Sequence, residues 1–157
     1  LAAAATDHDD PATARSLIEK ACAIANAHPW RSTRPYRYQY VANLAKAQFE
    51  TGDHQTARAW LDRALAHYQD HVKELSSLRR ADALRPLAAA YHTIGDGEKA
   101  RAVYQRAIET GAINGNARPR AIDLVLTCLS LARHGAKPGK EMWGALNGVE
   151  RKLNAPW

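Results

Sequence analysis

Apolar residues recur at intervals of three and four along most of the chain. This spacing places them on one face of an α-helix, whereas a half-buried strand would show apolar residues at every second position. The apolar blocks are separated by Gly, Asp and Pro, which end helices and open turns. The pattern therefore predicts an all-α protein made of several helices of ordinary length.

The helical blocks repeat with a period of 43 residues. Three segments share the same order of small, basic and apolar residues, and they are residues 13–21, 56–64 and 99–107. An Asp precedes each segment by three positions, at Asp10, Asp53 and Asp96. An Asp side chain can accept the unpaired backbone N–H groups at the start of a helix, so we expect an N-cap at each of these residues.

A second apolar block precedes each of the later caps and ends on a glycine. Gly52 and Gly95 close two blocks that match at the same period, and Gly135 closes a third, looser copy at an offset of 40. Glycine readily adopts the left-handed conformation that ends many helices. The repeating unit is therefore a helix, a tight turn and a second helix, and in the last unit the second helix runs from about Lys140 to Leu153, interrupted by glycines.

This period predicts one domain over residues 1–157 with seven or eight helices. Its units are residues 1–30 (partial), 34–73, 77–114 and 118–153, the last of which caps the stack. Extending the period backwards places Leu1 in the middle of a first helix. We therefore expect the chain to be a fragment of a longer protein, and its truncated N-terminal end to be a possible site of self-association.

Small and aromatic residues in the unit 77–114 resemble the tetratricopeptide motif. They are Leu87, Ala88, Tyr91, Gly95, Ala100, Tyr104 and Ala107. The period of 43 exceeds the usual period of about 34, so the chain looks like a long-period variant. The resemblance implies a right-handed α-solenoid of antiparallel helix pairs that binds other proteins and is not an enzyme. Pro86 falls inside a first helix, where it predicts a kink or a late helix start.

The resemblance also implies that the first helices line a concave groove for a partner peptide. Helical spacing assigns the wall of this groove to Gln39, Ala42, Lys46, Phe49, Asp82, Arg85, Ala89, His92, Ile122, Val125 and Leu129. Among these, the residues predicted to bind the partner are Gln39, Lys46, Phe49, Asp82, Arg85 and His92. Their cations and aromatic ring could hold a carboxylate and an apolar side chain. The alternative is that the three C-terminal residues only cover the last helix, and that the others are ordinary surface.

A basic and aromatic segment offers a different function. The net charge is +6, and residues 30–40 interleave three arginines with four aromatics, a composition suited to single-stranded nucleic acid. Because Trp30 and Tyr40 would also pack naturally between units, nucleic acid is disfavoured as a partner. A third interpretation is a purely architectural part of a longer solenoid.

Recurring arginines have a local explanation. Arg15 and Arg58 each have an acidic residue four positions later, so we expect local ion pairs rather than a ladder for a polyanion. Arg37, Arg80 and Arg120 recur at helix starts, where the helix dipole disfavours a cation.

The remaining chemistry predicts neither a catalytic nor a metal site. The sequence holds no Gly-rich phosphate loop, nucleophile elbow or metal-binding motif, and no cofactor is expected. His67 and His71 lie four apart, but they lack a third ligand, so we expect a solvated helix end. Cys22 and Cys128 are predicted to be small buried thiols, which favours a reducing compartment such as the cytoplasm. No apolar run is long enough for a membrane span.

Overall fold

The computed structural model describes residues 10–27 and 34–153, and these residues form seven α-helices and no strand. The helices are α1 (Pro11–Ala27), α2 (Pro35–Glu50), α3 (His54–His71), α4 (Ser77–Thr93), α5 (Gly97–Ala112), α6 (Ala117–Arg133) and α7 (Lys140–Leu153). The predicted all-α class is confirmed. Within the described part of the chain, no helix combines the length and the apolar character needed to cross a membrane.

The predicted N-caps are present on three helices. In each cap an Asp side chain accepts a hydrogen bond from the backbone N–H three residues later. The bonds run from Thr13 to Asp10 (3.0 Å), from Thr56 to Asp53 (3.1 Å) and from Lys99 to Asp96 (3.1 Å). Hydrogen bonds to the ionised carboxylate lower the pKa of both groups: for Asp10 they come from the side chain and backbone of Thr13, and for Asp53 from the Gln48 side chain and then from Thr56.

The predicted glycine turns are also present. Gly52, Gly95 and Gly135 have φ values of 90°, 84° and 66°, in the left-handed region that side chains with a Cβ disfavour. Each glycine directly follows the last turn of a first helix and reverses the chain before the next helix.

Pro86 does not delay the start of α4, so the late helix start, one of the two predicted effects, was wrong. The helix begins at Ser77 and runs through Pro86 to Thr93. Proline supplies no N–H for the carbonyl of Asp82, a loss that costs about 3 kcal/mol in a helix interior. Packing offsets this cost, because α4 lies at the centre of the molecule and buries nine of its side chains.

The helices stack in two layers, as a solenoid requires. The first helices α2, α4 and α6 contact one another in sequence, and each also packs against the second helix of its own pair. Alanines allow the close approach, since Ala42, Ala45, Ala88 and Ala107 are completely buried. Tyrosines fill the space between the helices, and the Tyr38 and Tyr68 rings meet edge to face with centroids 6.0 Å apart.

Charged side chains join one unit to the next. Arg58 on α3 is 4.0 Å from its predicted local partner Asp62, but it makes a 2.5 Å contact with Asp96, the cap of α5. Asp62 in turn accepts hydrogen bonds from Tyr91 (2.8 Å) and Lys99 (2.5 Å). The equivalent residue Arg15 donates to the carbonyl of Thr51 (3.5 Å) instead of pairing with Glu19. These arginines therefore reach across units instead of pairing only along their own helix.

Two of the arginines at helix starts bind the connecting loops. Arg80 donates to the carbonyl oxygen of Leu75 (3.1 Å), and Arg120 donates to the carbonyls of Asn114 (2.8 Å) and Gly115 (2.9 Å). Each guanidinium thus turns back from the first turn of its helix onto the preceding loop. These hydrogen bonds account for a cation at a position that the helix dipole disfavours.

Two predictions about burial were wrong. Cys128 is exposed, because among the described helices α6 has a neighbouring first helix only on its α4 side. Cys22 is half-buried, and both thiols are free. His67 is buried and not a solvated residue. Its Nδ1 lies 3.0 Å from the Tyr38 hydroxyl, and its ring stacks on His71 with centroids 4.3 Å apart.

Candidate partner-binding groove

A groove of about 460 Å³ lies between the three first helices. α2 contributes Pro35, Tyr36, Gln39 and Lys46, and α4 contributes Asp82, Arg85, Pro86 and Ala89. The third side is formed by Leu126, Leu129, Ser130 and Arg133 of α6 and by His134, the residue directly after it. The stacking of equivalent helices creates this groove, since each unit presents the same face of its first helix.

Four of the six predicted binding residues line the groove, namely Gln39, Lys46, Asp82 and Arg85. Phe49 lies outside its lining and stacks on the His54 ring, with centroids 4.3 Å apart and ring planes at 22°. His92 also lies outside the lining, half-buried in the last turn of α4. Ala42, assigned to the wall, is completely buried between helices.

A buried ion-pair cluster forms the floor of the groove. Arg85 is only 8% exposed, and its guanidinium contacts the Asp82 carboxylate and donates to Asp123 (3.0 Å). Asp123 lies on α6 and also accepts a hydrogen bond from Asn114 (2.8 Å). Burial raises the pKa of Asp123, although Arg85 opposes the shift. The charge of Arg85 is therefore already balanced within the protein.

Cations gather at one end of the groove, where the first helices finish. Lys46 lies near the end of α2, His92 in the last turn of α4, Arg133 in the last turn of α6, and His134 follows. Burial and the positive charge of Lys46, His92 and Arg133 lower the pKa of His134. The favoured neutral form of His134 leaves Lys46 and Arg133 as the groove-lining cations at this end.

An exposed apolar stripe runs along α6. Ile122, Val125, Leu126 and Leu129 are 48%, 55%, 41% and 43% exposed, although their side chains are large and apolar. Their spacing places them on one helical face, and Arg133 continues the same face by one more turn. The core contacts of α7 come instead from Met142, Leu146 and Val149, which are buried.

Part of the basic and aromatic segment lies at the opposite end of the groove. Tyr36 and Tyr40 are 50% and 65% exposed, and their ring centroids lie 5.7 Å apart. Arg34 donates to the Tyr36 hydroxyl (2.8 Å). Tyr40 is therefore not packed between units, and this prediction was wrong. Tyr38 is the completely buried tyrosine of the segment, and its ring meets Tyr68 of α3. Trp30 lies outside the described residues.

Sequence reasoning missed Asp123, Leu126, Arg133 and His134. All four lie on or directly after α6, where the repeat offset changes from 43 to 40 and the alignment with earlier units is weakest. The apolar spacing that predicted Ile122, Val125 and Leu129 could have found Leu126. No local signal marks Asp123, because its partner Arg85 lies on another helix.

Comparison with known proteins agrees with this architecture. The family model of the tetratricopeptide repeat matches residues 38–111, from the first turn of α2 to the last turn of α5. Neither the curated proteins nor the solved structures yield a significant match. The resemblance drawn from the sequence is confirmed, and this family generally mediates interactions between proteins.

Proposed function

We propose that this chain, whose residues 38–111 belong to the tetratricopeptide repeat family, is a binding module that holds a partner protein in the groove between α2, α4 and α6. The observation that supports this most is the exposed apolar stripe of α6, which leads directly into that groove. Clusters of exposed large apolar side chains mark interaction sites more often than isolated ones do.

The stripe offers enough apolar area to anchor a partner. Full burial of a Leu, Ile or Val side chain is worth about 1.5–3 kcal/mol, so covering a half-exposed one gives roughly 1 kcal/mol. The four side chains of the stripe together offer roughly 4 kcal/mol before the costs of association. Such a contribution suits a reversible interaction in which a few side chains supply most of the affinity.

The predicted binding residues divide into two roles in this proposal. Lys46 contacts the partner directly, whereas Asp82 and Arg85 hold the floor of the groove in shape through Asp123. Gln39 lies on the α2 wall, and Phe49 and His92 flank the groove beyond its lining. The groove is therefore a preformed surface rather than one assembled by the partner.

Catalysis is not part of the proposed role. Along the described part of the chain, no three His, Cys, Asp or Glu side chains lie close enough together to hold a metal ion. The buried carboxylate beside the groove, Asp123, accepts hydrogen bonds from Arg85 and Asn114. We propose a scaffold that needs no cofactor.

Affinity capture with matched variants tests the proposal. Leu126→Gln/Leu129→Gln makes the stripe polar, and Ile24→Gln makes the same type of change at an exposed residue (61%) of α1, outside the groove. We expect the native chain and Ile24→Gln to capture the same protein from the source organism, and the double variant to lose it while circular dichroism stays unchanged. Equal capture by all three chains would contradict a role for the groove.

Single-stranded nucleic acid remains a second candidate, because Tyr36 and Tyr40 are exposed beside Arg34. Its test is binding of a fluorescent single-stranded oligonucleotide. Stacking is worth about 1–3 kcal/mol per base, so Tyr36→Ala/Tyr40→Ala should weaken binding at least tenfold if this function is real. Binding that is absent, or that the variant leaves unchanged, would exclude it.

A further inference from the structure

We infer that the occupant of the groove is an acidic, amphipathic α-helix of the partner protein. This inference rests on the proposed function and specifies the chemistry of the partner. Two features of the groove support this inference. The first is the apolar stripe of α6 with the cations at its end. The second is that the neutral polar side chains of the groove, which an extended peptide would need as partners, already form hydrogen bonds within the chain.

The surface of α6 changes from apolar to cationic along one face. Ile122 and Arg133 are eleven positions apart on that face, a distance of about 16 Å or three helical turns. A helix of similar length on the partner could place Leu, Ile or Val at every third or fourth position against the stripe. Its far end would then lie over Arg133 and, across the groove, Lys46.

The charge at that end selects carboxylates. Lys46 and Arg133 line the groove together, and their fields contribute to the lowered pKa of the neighbouring His134. The acidic group of the groove lining, Asp82, is already paired with Arg85 and Arg79. No acidic side chain in the described part of the chain forms an ion pair with Lys46 or Arg133. An Asp or Glu of the partner is therefore attracted to this end of the groove, whereas a Lys or Arg would be repelled.

The polar groups of the groove favour a helix over an extended peptide. An extended peptide exposes its backbone N–H and C=O groups and needs side-chain partners for them, but a helix satisfies its own. Each neutral polar side chain of the groove already makes a hydrogen bond within the chain. The Gln39 amide donates to Asn43 (2.9 Å), the Ser130 and Tyr104 hydroxyls bond to each other (2.9 Å), and Arg34 donates to the Tyr36 hydroxyl (2.8 Å).

Selection from a displayed library of random 16-residue peptides tests this inference with the whole chain as bait. We expect the enriched peptides to be acidic, with apolar residues at helical spacing, and to gain helix by circular dichroism when they bind. The three most enriched peptides are then measured by fluorescence anisotropy against the native chain and its variants.

Two double charge reversals separate the groove from the general positive charge of the protein. Lys46→Glu/Arg133→Glu should weaken binding about tenfold or more, because both cations face the occupant. The control variant Lys20→Glu/Lys73→Glu changes the net charge by the same amount, but at exposed residues outside the groove lining. It should weaken binding less than threefold, because salt screens charges that lie far from the peptide. Leu126→Gln/Leu129→Gln should also weaken binding about tenfold.

Each other outcome overturns a defined part of the account. The enriched peptides could instead be neutral, basic or non-helical and still bind more weakly to Leu126→Gln/Leu129→Gln. That result would contradict an acidic helix as the occupant but would support the groove as the binding site. Acidic helices that bind Lys46→Glu/Arg133→Glu as tightly as the native chain would overturn the assignment of the cations. If no peptide is enriched, or if neither groove variant weakens binding, the inference and the proposed function both fail.

Discussion

The properties of single residues in the groove follow from burial as much as from charge. Arg85 looks like a binding residue in the sequence, but its guanidinium lies under the groove, between Asp82 and Asp123. Lys46 and Arg133 line the same groove, and among the described residues neither lies within ion-pair distance of an acidic side chain. Charge at a helical position therefore identifies a binding residue only together with its exposure.

The buried pair predicts a large and non-additive effect on stability. Arg85→Met leaves the Asp123 carboxylate buried without its cation, and we expect the free energy of unfolding to fall by about 3–5 kcal/mol. Arg85→Met/Asp123→Asn removes both charges and keeps an acceptor for Asn114, so it should recover a large part of that loss. Urea unfolding at pH 7 measures both variants.

The pH dependence of Arg85→Met provides a control. Burial raises the pKa of Asp123 above its unfolded value, and loss of Arg85 should raise it further. At Asp123 the folded variant then binds more protons than its unfolded chain, so the stability deficit of the variant relative to the native chain should grow as the pH rises from 4 to 7. If the variant is less stable than the native chain by the same amount at pH 4 and at pH 7, the buried charge of Asp123 is not the cause of the loss.

His134 predicts the pH dependence of partner binding. Its pKa is lowered by burial and by Lys46, His92 and Arg133, so protonation in the free chain is suppressed. An acidic partner would favour the charged imidazole and raise that pKa, so binding would take up a proton and strengthen as the pH falls from 7.5 to 6. Isothermal titration calorimetry with a selected acidic peptide at several pH values measures this change in affinity. His134→Gln should reduce the pH dependence of the affinity, and an affinity of the native chain that does not change with pH would contradict the prediction.

At the scale of helices and turns, local signals in the sequence were sufficient. The Asp caps and the glycine turns depend on residues within a few positions of each other, and all those described have the predicted geometry. The long-range features were not predictable in this way. Asp123 lies 38 residues from Arg85, Arg58 reaches Asp96 in the next unit, and neither pair has a local pattern.

Two glycines of similar exposure should respond oppositely to the same substitution. Gly95 has φ 84°, so Gly95→Ala should cost about 1–2 kcal/mol of stability although nothing lies within 4 Å of the new methyl group. Gly144 lies within the continuous helix α7 with the same open space, so Gly144→Ala should add about 0.5–1 kcal/mol. Urea unfolding of both variants checks this, and equal effects would contradict the helix assignment of α7.

For the whole molecule, the period of 43 residues predicted the stacking of helix pairs but not the groove in detail. Repetition determines which helices form the layer, so Gln39, Lys46, Asp82 and Arg85 could be placed on its face from spacing alone. The last unit departs from the period, and α6 lacks a further first helix among the described residues. Arg133 and the exposed Cys128 therefore became evident only from the packing.

The central claim is that the partner lies on the layer of first helices. We would titrate the isotopically labelled chain with a selected peptide and follow its amide resonances by NMR. The account predicts the largest shifts on α2, α4 and α6, especially around Lys46, Ala89, Leu129 and Arg133, which line the groove. Shifts concentrated on α3 and α5, with these residues unchanged, would place the partner on the opposite layer and contradict it.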